Sequence, residues 1–401
     1  MLAVLSMLGA LSIDTYLPAM PAIARDFAAS PFATQQTLSL FLFGYAFMTL
    51  FYGTLSDSFG RRPVILGSLG VYLGASLGCA LAPNLGWLLA FRLLQGFSAG
   101  AGNVVGRAMV GDLFTGVAAQ RMMAFISLVF GIAPALAPIL GGWLQSALGW
   151  RAIFLFVAAF TLVVMIICLR SLPESLEAAQ RHPFQVDVIL SNYWKVGGHG
   201  RFILMCLGNA LAFSGVSIYI GAAPAFVYSI LHLSAHDFGW LFIPLIGGMT
   251  LGGAMAARLS HRLSPDTIIR IGFAVMALAA VANVAYSAEF LARVPWAVVA
   301  PFVYCVGMAF SAPAMNVLLL EKFPKTRGLA SSLMAFTFMI IFATASGLLC
   351  PLLNNSALNL ALGICVGLAL SILCWTLGVR GRHEHAPTPL VETPEEVPFD
   401  L

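Results

Sequence analysis

The chain has 401 residues, 60% of them hydrophobic and 9% charged, with a formal net charge of +4. Soluble globular proteins carry roughly 25% charged residues, so too little charge remains to coat a water-facing surface, and lipid is the solvent that such a surface fits. The small basic excess comes with no basic stripe and no aromatic stacking module, which argues against a nucleic-acid partner, and the seven scattered cysteines show no C-x-x-C and no metal spacing.

A membrane-crossing helix needs roughly 20 mostly apolar residues. Twelve stretches qualify: 1–22, 35–55, 63–82, 86–106, 119–144, 150–171, 202–228, 237–258, 266–287, 295–318, 328–350 and 356–378. In the first, Ala22-Ile23-Ala24 offers a signal-peptide cleavage pattern, but no basic residue precedes the apolar run and Asp14 interrupts it, so a retained span is expected. Of sixteen acidic residues only Asp14 falls well inside a span, and of twenty basic residues only Arg92, in the fourth, does so. A central Asp or Arg costs about 2.5–3.5 kcal/mol on insertion scales, so such residues usually face a cavity and mark function. Counted from Ala22 and Gly86 at 1.5 Å per residue, both lie about 9–12 Å below the same surface. They are expected near one another across a cavity, where a change in their contact would load or release a proton on Asp14.

The link between the second and third spans reads Gly53-Thr-Leu-Ser-Asp57-Ser-Phe-Gly60-Arg61-Arg62. Gly53 allows close helix approach, and Gly60 permits a tight turn with positive φ. Asp57, at a helix end, can pair with Arg61 or a neighbouring helix, and such a cluster can hold one gating state closed. The fourth span carries Gln95 after Arg92, then Asn103, and ends at Arg107 and Asp112, which are expected to form an inside gate or anchor. The fifth carries Gly131, Pro134, Pro138, Gly141 and Gly142. Prolines four apart are expected to bend it and the glycines to seal it against a neighbour, making a hinge and a seal between halves.

The longest polar interval, 172–201, cuts the chain into six spans plus six. The expected units are bundles over 1–171 and 202–380, a central loop between them, and a disordered Pro/Glu-rich tail over 381–401. Gly253 to Arg262 repeats the Gly53–Arg62 pattern 200 residues later with the acid lost, as in transporters built from parallel repeats with substrate bound between them. Expected cavity residues are Asp14, Tyr16, Tyr45, Gln95, Asn103, Asn209, Tyr219 and Asn316, since rings and amides suit large amphipathic ligands. With both termini in the cytoplasm, sixteen Lys and Arg fall inside and three outside. This obeys the positive-inside rule.

The Gly53–Arg62 pattern, G-x-x-x-D-x-x-G-R-R, resembles the signature of the major facilitator superfamily at every position. Ile13-Asp14-Thr15-Tyr16-Leu17-Pro18-Ala19-Met20-Pro21 resembles the first-helix motif of the twelve-helix drug:proton antiporters, and Arg92-Leu-Leu-Gln95-Gly96 their fourth-helix motif. Ala133-Pro134-Ala-Leu-Ala137-Pro138-Ile-Leu-Gly141-Gly142 is similar to their fifth-helix antiporter motif, with Ala137 where the family usually has Gly. The first-helix wording and the Arg107–Asp112 step look most like the Bcr/CflA group, which includes bicyclomycin and chloramphenicol exporters. The resemblance implies an all-α fold of twelve transmembrane helices in two pseudo-symmetric six-helix bundles, in the bacterial inner membrane. It also implies a monomer that exports small molecules against protons, with Asp14 and Arg92 in proton coupling.

Other classes fit less well. A proton symporter importing a nutrient on the same fold would be expected to bury several charges for a polar solute, and this chain buries one of each sign. A membrane sensor or scaffold would need neither gate motif nor buried acid. No nucleophile–base constellation, metal spacing, cofactor motif or phosphate-binding loop points to an enzyme or an ATP-driven pump.

Overall fold

A computed structural model describes residues 1–181, 183–324 and 326–380. The expected tail over 381–401 lies outside them. The described residues form helices joined by loops, with no strand. In chain order the helices are α1 (Leu2–Asp26), α2 (Pro31–Thr49), α3 (Tyr52–Phe59), α4 (Arg61–Ala80), α5 (Leu85–Ala99), α6 (Ala101–Leu113), α7 (Gly116–Leu148) and α8 (Trp150–Ser171). Then follow α9 (Val186–Gly197), α10 (Gly200–Ala212), α11 (Ser214–Gly221), α12 (Gly239–Leu259), α13 (Pro265–Glu289), α14 (Trp296–Leu320), α15 (Arg327–Leu353) and α16 (Ala357–Val379). Nine described helices are long and apolar enough to cross a membrane, or eleven when the bent pairs α2/α3 and α10/α11 each count as one. The expected fourth span is not among them, because it breaks at Gly100 into helices of 15 and 13 residues and carries Arg92.

Local chemistry sets the helix ends. Ser30 accepts from the Ala33 N–H at 3.2 Å with Pro31 in the first turn, so α2 starts before the expected residue 35. Asn84, Ser264 and Ser356 cap α5, α13 and α16 in the same way. α7 runs as one helix through Pro134 and Pro138, without a break at either; neighbouring helices can satisfy the backbone groups that proline frees in a bilayer. One expectation differs. The central interval is not all loop, because its residues 186–197 form α9. The Tyr193 hydroxyl on α9 donates to the Leu50 carbonyl at 2.7 Å, and burial raises its pKa above the ordinary value against a hydrogen bond from Ser332.

The packing repeats. α2 lies on α5 as α12 lies on α14, α4 on α8 as α13 on α16, α4 on α5 as α13 on α14, and α1 on α7 as α10 on α15. Two of the contacts between the repeats, α2 with α15 and α7 with α12, are also equivalent under this shift. Close approach depends on glycine: a Cβ on Gly44 would stand 2.6 Å from the Leu93 carbonyl, and one on Gly96 would overlap the Phe41 carbonyl. These contacts bring α2 and α5 near enough to enclose Arg92.

Candidate functional site

Arg92 is completely buried within the first repeat. Its guanidinium donates to the Gln95 Oε1 at 2.7 Å and to the carbonyls of Ser12 and Thr37 at 3.3 Å each. Its Cζ lies 4.5 Å from the Phe41 ring centroid, 4.6 Å from that of Tyr16 and 5.9 Å from that of Phe154. Gln95 passes the network on, donating to Ser76 Oγ at 2.8 Å. The Tyr16 hydroxyl bonds Thr37 Oγ1, and the Ser12 hydroxyl bonds that of Tyr72. A planar cation between aromatic faces with carbonyl acceptors at its edge is well suited to hold α1, α2 and α5 together.

Asp14 is not part of this network. It is 3% exposed, it forms no ion pair among the described residues, and its Oδ1 has no hydrogen-bond partner among them. Ser12 and Tyr16 sit two residues to either side of it. Ser12, two residues before Asp14 on the same α-helix, is more than half a turn away at 100° per residue, which directs Asp14 to the other flank of α1. Seven residues back, on Asp14's own flank, Met7 is half-exposed. Among the described residues no hydrogen bond or ion pair joins Asp14 to Arg92.

Of the residues that the sequence places in the cavity, Tyr16, Gln95, Tyr219 and Tyr45 are buried, as Asp14 is. Tyr16 and Gln95 belong to the Arg92 network, and Tyr219 is buried, accepting from Asn283 Nδ2 at 3.0 Å. Tyr45 is buried too, with its hydroxyl 3.5 Å from Asn103 Nδ2. Asn103 is half-buried and accepts from Arg107 Nε at 3.0 Å. In the second repeat Asn209 Nδ2 donates to Asn316 Oδ1 at 2.9 Å, and Asn316 is exposed.

At the end of the fold bearing the Gly53–Arg62 turn, Arg61 pairs with Asp57 and, through Nε, with Asp112 Oδ2 at 3.1 Å. Its Nη1 also reaches Ser56 Oγ at 2.6 Å. Arg62 donates to the Leu169 carbonyl at 2.8 Å. Gly60 has φ +96°, a conformation that side chains disfavour. Gly53 packs on nothing within 4 Å of where its Cβ would be, so the close approach expected of it is absent. Arg107 lies outside the cluster, on Asn103. Sequence reading did not single out Glu174. Its carboxylate accepts from the Arg61 N–H at 2.9 Å and the Arg62 N–H at 3.3 Å, at the start of α4, and it pairs with Arg181 at 3.7 Å. Over a gap of 113 residues no local signal announces such a cap. Glu174→Ala should cost about 1 kcal/mol, read as a lower thermal midpoint of the purified protein. An unchanged midpoint would mean that water replaces the cap without loss.

The repeats meet at the opposite end. Gln35 Nε2 donates to the Gly221 carbonyl at 3.0 Å and to Ser346 Oγ at 2.9 Å, Gln36 Nε2 to the Gly347 carbonyl at 2.8 Å, and Ser39 Oγ to the Ala343 carbonyl at 2.9 Å. The Tyr228 hydroxyl donates to the Pro18 carbonyl at 3.0 Å. The fifth-helix glycines take part. A Cβ on Gly141 would overlap the Thr15 carbonyl within the first repeat, and one on Gly142 would overlap the Ala235 carbonyl across the seam. Ser234 donates to Asp237 Oδ2 through its N–H at 3.0 Å and its hydroxyl at 2.6 Å, holding that carboxyl below its ordinary pKa and fixing the turn that presents Ala235. Beyond the seam lies a cavity of about 670 Å³ lined from both repeats, where the Gln145 Oε1 is buried without a partner among the described residues. Gly142→Val should push this end apart. A cysteine placed at Gln35 in that background should react faster with a membrane-impermeant maleimide. Equal labelling with and without Gly142→Val would show that the seam yields elsewhere.

Among the described residues no group of His, Cys, Asp or Glu could hold a metal. The family model of the Major Facilitator Superfamily matches residues 2–346 and 205–397. The chain is 29% identical over 378 residues to the bicyclomycin resistance protein homolog of Haemophilus influenzae, covering 93% of this chain and 94% of that one. It is 28% identical over 399 residues to multidrug resistance protein D of Escherichia coli, covering 96% and 97%. Among solved structures, the inward-facing, unoccupied bacterial homolog of the human lysosomal transporter Spinster superposes with TM-score 0.70 at 15% identity, over 94% of each chain. A D-xylose–proton symporter superposes with TM-score 0.69 at 18% identity, over 93% of this chain and 96% of its own.

Proposed function

The chain belongs to the major facilitator superfamily, a multi-pass membrane transporter and not an enzyme, and on that premise we propose that it exports small amphipathic, antibiotic-like molecules in exchange for protons. The names of the two bacterial relatives, one for bicyclomycin resistance and one for multidrug resistance, support the cargo class. The observation that carries the mechanism is Asp14: a carboxyl on the flank of α1 that Arg92 leaves free, buried, with one oxygen unpartnered. An unpaired anion in such a place costs several kcal/mol, and a proton or a cationic substrate relieves that cost in turn. Competition between the two for one group gives exchange.

In this reading twelve spans form bundles over 1–171 and 202–380, with the termini and the 172–201 segment in the cytoplasm. The seam at Gln35, Gly142 and Tyr228 is then the outer gate in its closed state. Met7, Asn103, Asn209 and Asn316 line a path from the inside, and the Arg61 cluster is the inner gate motif. Arg92 positions α1 rather than carrying the proton. In inverted membrane vesicles holding a preset pH gradient, addition of a bicyclomycin-like compound, a phenicol or a cationic dye should collapse the gradient. No collapse with any of the panel, or a collapse that requires sodium, would overturn proton exchange. Proton-coupled substrate movement toward the cytoplasmic face would favour the importer.

A further inference from the structure

A second recess lies away from the seam, between α13 and α14 near the loop that joins them. Its volume is about 950 Å³, at the upper end of ligand-sized sites, which run from about 300 to 1,000 Å³. Ten of its twelve lining residues are uncharged, and the other two are Glu289 and Arg293, one of each sign. The walls are apolar and outward-facing: Leu278 is 70% exposed, Phe290 66% and Trp296 67%. On a membrane helix such a face meets acyl chains. Glu289 and Arg293 stand where α13 ends and the loop begins, with Tyr286 and Trp296 beside them. Aromatic residues of this kind collect at headgroup level.

The two charges are four residues apart, yet among the described residues neither forms an ion pair. The loop is built to hold them. The Tyr286 hydroxyl donates to the Leu291 carbonyl at 3.2 Å and accepts from the Arg293 N–H at 3.3 Å, and Phe290 stacks on its ring at 5.7 Å. Opposite charges held at one rim without neutralising each other are complementary to a ligand that carries both signs. An apolar groove below them takes its chains.

We propose that this groove binds a phospholipid with a primary-ammonium, zwitterionic headgroup, its phosphate on Arg293, its ammonium on Glu289 and its acyl chains along Leu278 and Val299. A headgroup with phosphate but no ammonium would gain Arg293 and be repelled by Glu289. A bidentate guanidinium–phosphate contact accounts for affinity, and the glutamate accounts for the preference between headgroups. The proposal does not depend on the direction of transport or on the coupling ion.

The test uses the full-length protein in nanodiscs containing phosphatidylethanolamine or phosphatidylglycerol with brominated acyl chains, which quench nearby tryptophan. Quenching should be greater with brominated phosphatidylethanolamine at equal mole fraction, and Trp296→Phe should remove the excess. In native mass spectrometry of the detergent-purified protein, phosphatidylethanolamine should be retained about tenfold over phosphatidylglycerol. Glu289→Gln should erase that preference while retention of phosphatidylglycerol rises, and Arg293→Ala should lower retention of both. Both side chains are exposed and outside every described ion pair, so the variants should keep the wild-type elution profile. Equal retention of the two lipids by the wild type, or a preference that survives Glu289→Gln, would overturn the assignment.

Discussion

Replacing Asp14 by Asn should leave the protein in the membrane in normal amount and abolish substrate-driven proton movement. The side chains are nearly the same size, so packing around α1 is kept. No hydrogen bond among the described residues depends on Oδ1, so folding loses little. The amide, however, neither takes up nor gives up a proton, and in the proposed cycle that is the only change of charge at the buried site. Substrate added to inverted vesicles should then leave a preset pH gradient intact, while equilibration of a neutral substrate down its own gradient persists. Wild-type rates of gradient collapse in Asp14→Asn would remove this carboxyl from the coupling step and force a search among groups near the seam.

Arg92→Met should damage the protein in a different way. Two effects oppose each other. Removing a buried cation relieves its desolvation, which by itself would stabilise. Against this, the Gln95 Oε1 loses its donor, two further donations to the carbonyls of Ser12 and Thr37 vanish, and the faces of Tyr16 and Phe41 lose the plate between them. The unsatisfied amide and the lost packing should win, for a net cost of about 2–4 kcal/mol. Arg92→Lys should recover only part, because an ammonium cannot lie flat between two rings and reach three acceptors at once. Thermal midpoint and transport per folded molecule separate the roles. A lowered midpoint with transport falling in parallel marks Arg92 as a positioning residue. An unchanged midpoint with coupling lost would make it a participant in proton transfer.

The sequence was legible where hydrophobicity alone decides. A long apolar run has few alternatives in lipid, and most expected spans are present within a few residues of their limits. The fourth differs, since Arg92 lowers its apolarity and the helix breaks at Gly100. The bends at Phe51 and Phe213 carry no proline and no local cue. α9 is hidden by the polarity of its interval, although Val186, Ile189, Tyr193 and Val196 recur at helical spacing. Within the site, Asp14 stood out as the one acid in an apolar span. Its direction did not, because counting residues along a helix measures depth and leaves azimuth unread. The spacing of Ser12 and Asp14 held that information, but only Arg92's position could reveal it. Gly142 against Ala235 and Glu174 on α4 are contacts between distant segments, and no local pattern predicts them.

The opening helix thus answers to two sets of demands on its two flanks. On one, Ser12 and Tyr16 are bolted into a scaffold that admits few substitutions. On the other, Asp14 is buried without a bond to that network, and Met7 is partly exposed. Exchange of Met7 should therefore change which compounds are carried with less effect on the bundle than exchange of Ser12 or Tyr16. Variation in the resistance spectrum should gather on the free flank, while the Arg92 flank stays nearly invariant.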